Sequence, residues 1–316
     1  MELIDDYINH ILSIKRYSKR TAEIYRGVLE DFSVYLNGEP LVESLCPSLI
    51  RSYEVYLLEK RKLGNRSVGL HISVLSSFCR FLCSKGILNA NPTRSVTRPK
   101  VDKPLPIFYR TESMMEYFHD SSFYASRDAL CLVSGKDALK GYKKILDRMI
   151  ISLLFHTGMR RSELIGLKEK DIDWTRELFV VHGKGDKQRE IPIEKKLTCE
   201  LTLYLRAKEL ANIKHTDGNS PLLATPSGRP LYPEYVDRAV KSELGKEQSI
   251  TVRKSPHVLR HTIATELLNA GAQLNSIKQM LGHSSLAATQ IYTHNSIEKL
   301  KQTYNQAHPL CPSSKK

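Results

Sequence analysis

The sequence predicts a mainly helical protein with a small β-sheet: an N-terminal helical bundle followed by a larger α+β domain. Three observations predict it. Apolar residues recur at helical spacing through residues 1–91. A stretch dense in proline and basic residues follows at 92–106. Beyond it, one alternating segment around Gly183-Lys184-Gly185-Asp186 interrupts otherwise helical patterning. A chain of 316 residues is long enough for about two domains with their own cores.

Within the first part, Ile4, Tyr7, Ile8, Ile11 and Leu12 mark one helix. Ile24, Val28, Phe32, Tyr35 and Leu36 mark a second, after a Ser18 cap. A third runs from Ser48 through Leu58, and a fourth follows Asn65 with Val68, Ile72, Leu75, Phe78 and Leu82 inward, ending near Gly86. These stripes are core signals. Lys15-Arg16, Lys19-Arg20 and Lys60-Arg61-Lys62 lie at the helix ends, where they suit either a DNA backbone or ordinary solvation. Asn91-Pro92, Pro99, Pro104 and Pro106, with Arg94, Arg98, Lys100 and Lys103 among them, predict an extended basic linker over 92–106.

The second domain spans 107–295, with a tail at 296–316. Helical patterns run to residue 147 and lead into the apolar run Met149 to Phe155, which ends at His156-Thr157-Gly158. Gly158 permits a sharp turn, Ser162 and Glu163 suit a new helix start, and Arg160 lies between them, where its side chain can reach a ligand. Glu177 to His182 alternates as a strand, and Arg189 to Ile193 returns as an edge strand, so Lys184 sits on a hairpin tip. Ser255-Pro256 opens a helix with Ser as cap and Pro first. That spacing places His257 and Arg260 on one face of its first turn, with Leu259, Ile263, Leu267 and Leu268 buried below. Gly271 ends it, a further helix runs through Leu274, Ile277 and Leu281 to Gly282, and His283 begins a loop.

A formal net charge of +14 and a pI near 9.4 suit a polyanionic partner, although charge alone does not separate nucleic acid from a solvated basic surface. The six cysteines (Cys46, Cys79, Cys83, Cys131, Cys199 and Cys311) lack a disulfide framework and imply a reduced cytoplasmic compartment. Cys79 and Cys83 are expected to be buried thiols, not metal ligands, because no second Cys/His pair lies nearby. No signal-peptide pattern or apolar run of membrane-spanning length is evident, so a soluble, non-exported protein is expected. His257 and His261, four apart on a helix, would need Glu at position 258 to match a metalloprotease motif, and Val258 stands there.

A phenol, two imidazoles and a guanidinium, Tyr292, His257, His283 and Arg260, could converge on one phosphodiester. A phenol attacking phosphorus keeps the broken bond's energy in a covalent link. Planar arginines meet the non-bridging oxygens with paired hydrogen bonds. Lys184, more often merely solvated in such a place, can also donate a proton to a leaving sugar oxygen.

Thr157-Gly158-Met159-Arg160-Arg161-Ser162-Glu163-Leu164, Gly183-Lys184-Gly185, His257-Val258-Leu259-Arg260-His261, Leu281-Gly282-His283 and Ile291-Tyr292 resemble, in order and spacing, the signature of tyrosine recombinases, the phage-integrase and Xer family. The ending Leu300 to Tyr304 and Gln306-Ala307-His308-Pro309 is similar to the Xer tail. The resemblance implies a SAM-like core-binding domain over 1–91 and a catalytic domain over 107–295 that together form a C-shaped clamp on double-stranded DNA. It implies Tyr292 as nucleophile forming a 3′-phosphotyrosine, Arg160 and Arg260 as phosphoryl ligands, and Lys184 as general acid. His257 would assist proton transfer, His283 would bond the phosphate, and Glu163 would support the site from behind.

No metal, nucleotide or other cofactor is implied. The family's protomers form tetramers, here homo- or hetero-tetramers with a paralogous recombinase or accessory protein as a further partner, and exchange strands through a Holliday junction. Residues 296–308 would dock on a neighbouring protomer. A nucleoid-associated bacterial protein follows, acting in dimer resolution or as a mobile-element integrase or excisionase. A compact Xer-type build is expected, without the N-terminal arm-binding domain that large phage integrases carry. Residues 119–147 form a longer stretch than most relatives show, and Arg127-Asp128 and Asp147-Arg148 compete to match the start of the next helix. The alternatives are type IB topoisomerase-like relaxation, which the Xer-like tail disfavours, and a catalytically silent DNA-binding protein, which the full set of six site residues disfavours.

Overall fold

The computed structural model describes residues 2–100, 107–183, 188–213 and 220–282. The chain falls into two compact units, Met1–Pro104 and Leu105–Lys316.

The first unit holds four helices, α1 Glu2–Ser13, α2 Lys19–Tyr35, α3 Pro47–Glu59 and α4 Asn65–Ser84. The Ser18 hydroxyl accepts from the Thr21 backbone N–H at 3.1 Å, so the predicted cap forms. The stripes meet in one core of Phe32, Ile50, Tyr53, Leu57, Ile72, Leu75 and Phe78, each large apolar side chain contributing roughly 2 kcal/mol by leaving water. Ile24, expected on the buried stripe of α2, is exposed, because the packed face lies along Val28, Leu29 and Phe32. By length and hydropathy α4 passes for a membrane span, which sequence inspection did not register. Half of that window is buried in the bundle, as in a core helix.

Of the expected linker, Pro92–Ser95 forms a 3₁₀ turn. The Asn91 carboxamide accepts from the Thr93 backbone N–H at 3.0 Å and donates to the Ser76 carbonyl at 3.0 Å, fastening the turn to α4. Val96 is buried against the same core, and the described residues that follow, 97–100, form no helix or strand.

The second unit is built on α6, Ala138–Thr157, against which α8 Lys195–Leu210, α9 Pro233–Gly245 and α10 Pro256–Asn269 all pack. Every residue from Ile145 to Thr157 is buried. Its polar residues are therefore partnered: Arg148 bonds Ser152 and reaches Glu200 at 3.2 Å, with its guanidinium 4.5 Å from the Phe118 ring centroid. Between α5 (Thr111–Asp120) and α6 lie 3₁₀ turns at Ser122–Ala125, Arg127–Leu132 and Gly135–Asp137, where helical patterning was expected. Ala129 and Val133 in these turns join the core. A Cβ at Gly141 would lie 2.1 Å from the Leu132 carbonyl oxygen, so only glycine lets the segment close onto α6. Neither candidate pair starts the next helix: Arg127-Asp128 opens a 3₁₀ turn, and Asp147-Arg148 sits deep in α6.

Three antiparallel strands, β1 Ile172–Asp173, β2 Leu178–His182 and β3 Gln188–Pro192, form a sheet in the order β1-β2-β3. The short β1 and helices α8 and α9 had no counterpart in the sequence reading. The sheet order makes β3 an edge strand; Val181 pairs with Arg189 and His182 with Gln188, and Lys184 falls in the chain between these last paired residues. Lys184 itself, His283, Tyr292 and the tail at 296–316 lie outside the described residues.

Candidate active site

The site is assembled where α6 ends, α7 (Arg161–Gly166) begins, and α11 (Leu274–Leu281) finishes. Gly158 caps α6 in the left-handed conformation, φ +59. A Cβ there would lie 2.6 Å from a Leu281 methyl and 3.0 Å from one of Ile263, so glycine is required both by backbone and by space. The turn delivers Arg160 to the N-cap of α7, where the Glu163 carboxylate accepts the Arg160 backbone N–H at 2.8 Å. Glu163 also accepts Arg160 Nη1 at 2.7 Å. Thus the Arg160–Glu163 salt bridge that would be a surface ornament in isolation is here half of a deeper cluster.

Arg260 rises from the first turn of α10 and is 7% exposed. Its Nη1 donates to the Gly158 carbonyl at 2.7 Å and its Nη2 to the Leu281 carbonyl at 2.5 Å. Arg160 Nη2 donates to the very next carbonyl, Gly282, at 2.7 Å. The two arginines singled out in the sequence are therefore brought together on one turn. Burial, then the charge of Arg160, lowers the Arg260 pKa to about 10, which still leaves it charged at neutral pH.

A third arginine, Arg189 on β3, was not singled out. It is 7% exposed and forks onto Glu163, Nη1 to Oε1 at 2.9 Å and Nη2 to Oε2 at 2.7 Å. The signal was present in the strand alternation, since Arg189 shares its inward face with buried Ile191. Burial opposes ionisation of Glu163, but the bonds from Arg189 and from the Arg160 backbone outweigh it and hold its pKa at about 2. Three guanidiniums against one carboxylate leave the cluster positive. Such a cluster at the foot of a partly exposed Arg160, whose side chain is 35% exposed, favours an anion.

His257 lies one turn before Arg260 on α10, as expected, and is exposed. Partial desolvation and then the charges of Arg161, His261 and Arg260 lower its pKa, so the neutral imidazole, a proton acceptor, prevails at neutral pH. Arg161 is bonded to Asp237 of α9. Two local expectations change: the Ser255 hydroxyl makes no cap bond, and Leu268 is exposed while Leu259, Ile263 and Leu267 are buried. Among the described residues, no group of three His, Cys, Asp or Glu side chains gathers as metal ligands. Cys79 is a buried free thiol, its pKa raised by burial to about 12, whereas Cys83 is only half-buried.

The chain is similar to known proteins along most of its length. Residues 136–299 match the model of the phage integrase family, and residues 4–86 match that of the phage integrase N-terminal SAM-like domain. Tyrosine recombinase XerC of Bacillus pumilus is 34% identical, over 97% of this chain and 96% of that protein. Tyrosine recombinase XerC of Chlorobaculum parvum is 32% identical, over 97% of this chain and 94% of that protein. Two solved structures share the fold. XerH site-specific recombinase bound to palindromic difH substrate in a post-cleavage complex aligns with a TM-score of 0.64 at 18% identity, covering 89% of this chain and 78% of that one. The Tn1549 transposon integrase in complex with circular intermediate DNA aligns with a TM-score of 0.62 at 19% identity, covering 94% and 98%.

Proposed function

The chain belongs to the phage integrase family of tyrosine recombinases, and from that membership we propose how its own residues divide the work of cutting and rejoining DNA. It is an Xer-like site-specific DNA strand transferase. In the proposed reaction the Tyr292 phenol oxygen attacks the scissile phosphorus while the bond from phosphorus to the 5′-oxygen breaks. The strand is left as a 3′-phosphotyrosine and a free 5′-hydroxyl. Lys184 gives the proton that the departing 5′-oxygen needs, and neutral His257 accepts the phenol's proton. Arg160, Arg260 and His283 meet the charge that builds on the non-bridging oxygens. Attack by another strand's 5′-hydroxyl reverses the step and rejoins DNA, without ATP or metal.

One observation carries this assignment. Arg160 and Arg260 converge on the carbonyls of Gly282 and Leu281, immediately before His283 in the chain, within a cluster that retains positive charge. The bundle and the second unit, both basic, grip double-stranded DNA, and four protomers synapse two sites through a Holliday junction. We assign the protein to the cytoplasm, on the nucleoid, with the tail at 296–316 docking on a neighbouring protomer.

The test uses DNA recovered from the protein in its host. Two copies of that DNA, placed in one plasmid, should yield resolved or inverted products when the protein is added. Relaxation of plasmids lacking any recovered site, with no recombinants, would show a topoisomerase instead.

A further inference from the structure

We propose that Arg189 is a positioning residue for strand transfer: acting through Glu163, it sets Arg160, and it ties strand β3 to the arginine pair. The proposal rests on Arg160 being a phosphate ligand.

Arg189 uses every side-chain nitrogen. Nε donates to the Met280 carbonyl at 2.8 Å, and Nη1 and Nη2 take one oxygen each of Glu163. Each of those oxygens also accepts from Arg160, Oε1 from Nη1 and Oε2 from the backbone N–H. The carboxylate is thus held from both sides, and Arg160 meets a partner whose position is already fixed. Without Arg189, Glu163 would be a buried carboxylate with Arg160 as its one hydrogen-bonded cation among the described residues, free to follow Arg160 wherever that side chain moved.

Arg189 also abuts the other end of Arg160's anchorage. A Cβ at Gly282 would lie 3.1 Å from Arg189 Nη1 and 3.2 Å from its Cδ, so the guanidinium lines the turn whose carbonyl Arg160 binds. On β3, Arg189 pairs with Val181, one step inside the His182–Gln188 pair that closes the strands before the Lys184 connection. Lysine could not substitute: one ammonium cannot serve two carboxylate oxygens and a carbonyl on the far side in planar geometry. At 7% exposure Arg189 is placed to act on Arg160, not on DNA.

The full-length protein is tested on a nicked recombination site in single-turnover cleavage. The scissile linkage is made either as phosphodiester or as methylphosphonate, which lacks the charged oxygen that the arginines bind. Arg189→Met should lose about 100-fold on phosphodiester but less than about 10-fold on methylphosphonate, in parallel with Arg160→Ala. In a Glu163→Gln background the further loss from Arg189→Met should shrink to less than about 3-fold, because the effect runs through Glu163. DNA affinity should stay within about 3-fold throughout. If Arg189→Met does not fold, Arg189→Lys, which keeps charge but not the fork, carries the same comparison and should show the same substrate dependence. Equal losses on both linkages, or no loss, overturn the positioning role. If Arg160→Ala itself loses equally on both linkages, the phosphate-ligand assignment fails first, and the proposal with it.

Discussion

Arg160 and Arg260, carried at the starts of two different helices, donate to consecutive carbonyls, Gly282 at 2.7 Å and Leu281 at 2.5 Å. Two like charges are held together on one turn because Glu163 and the oriented carbonyls offset their repulsion. Such an arrangement is organised before any phosphate arrives, and preorganised charge is what accelerates reactions in which negative charge builds up.

Glu163 links this site to acid stability. Its folded pKa of about 2 lies below the ordinary carboxylate value of 4.5. The stabilisation is therefore fully present above pH 4.5 and is lost as the pH falls toward 2. Glu163→Gln should destabilise the protein by roughly 3 kcal/mol at pH 7 and by much less at pH 3. Denaturant unfolding of both proteins at the two pH values measures the difference. An equal deficit at both would mean that ionised Glu163 contributes nothing.

Gly158→Ala should cost roughly 2–4 kcal/mol, the sum of left-handed backbone strain and a forced shift of Leu281. Because Leu281 carries the carbonyl that holds Arg260, cleavage should fall further than stability alone explains. Thermal unfolding and single-turnover cleavage, both measured below the variant's melting range, separate the two losses. A variant of unchanged stability would contradict the packing described.

The buried Arg148–Glu200 pair makes a separate prediction. Arg148 is 2% exposed and Glu200 6%. Arg148→Met should destabilise by about 3–5 kcal/mol by leaving Glu200 uncompensated, and Arg148→Met with Glu200→Leu should recover most of that. Denaturant midpoints of the single and double variants decide it, and strict additivity would show that the two do not interact.

His257 should titrate below 6.5 in the DNA-free protein. Removing one neighbouring cation with Arg161→Ala should raise that midpoint, since Arg161 follows burial as the largest cause of the shift. The imidazole proton resonances followed by NMR give both values, and a midpoint above 6.5 in the unmodified protein would contradict the electrostatics of α10.

These predictions draw on features of unequal legibility in the sequence. Helices α1 to α4, α10 and α11 were readable because each carries an apolar stripe or a glycine stop such as Gly271. The placement of Arg160, Glu163, His257 and Arg260 at the starts of two helices was readable because each follows a turn signal or a helix start. Arg189 was not, since a buried arginine in a short strand reads as a solvated edge until its partner is known. The segment at 122–137 was misjudged as helical because 3₁₀ turns bury Ala129 and Val133 at spacings that imitate a helix. Helices α8 and α9 were overlooked because Glu200 of α8 and Glu243 of α9 are charged residues buried on faces that read as polar.

The central claim, that Tyr292 is the nucleophile served by this arginine pair, is tested most directly by trapping. A recovered DNA site carrying a nick beside the cleavage position should become covalently attached to the unmodified protein, and the adduct should migrate as one species on a denaturing gel. Tyr292→Phe should bind the same DNA with unchanged affinity and form no adduct. An adduct formed by Tyr292→Phe would contradict the account.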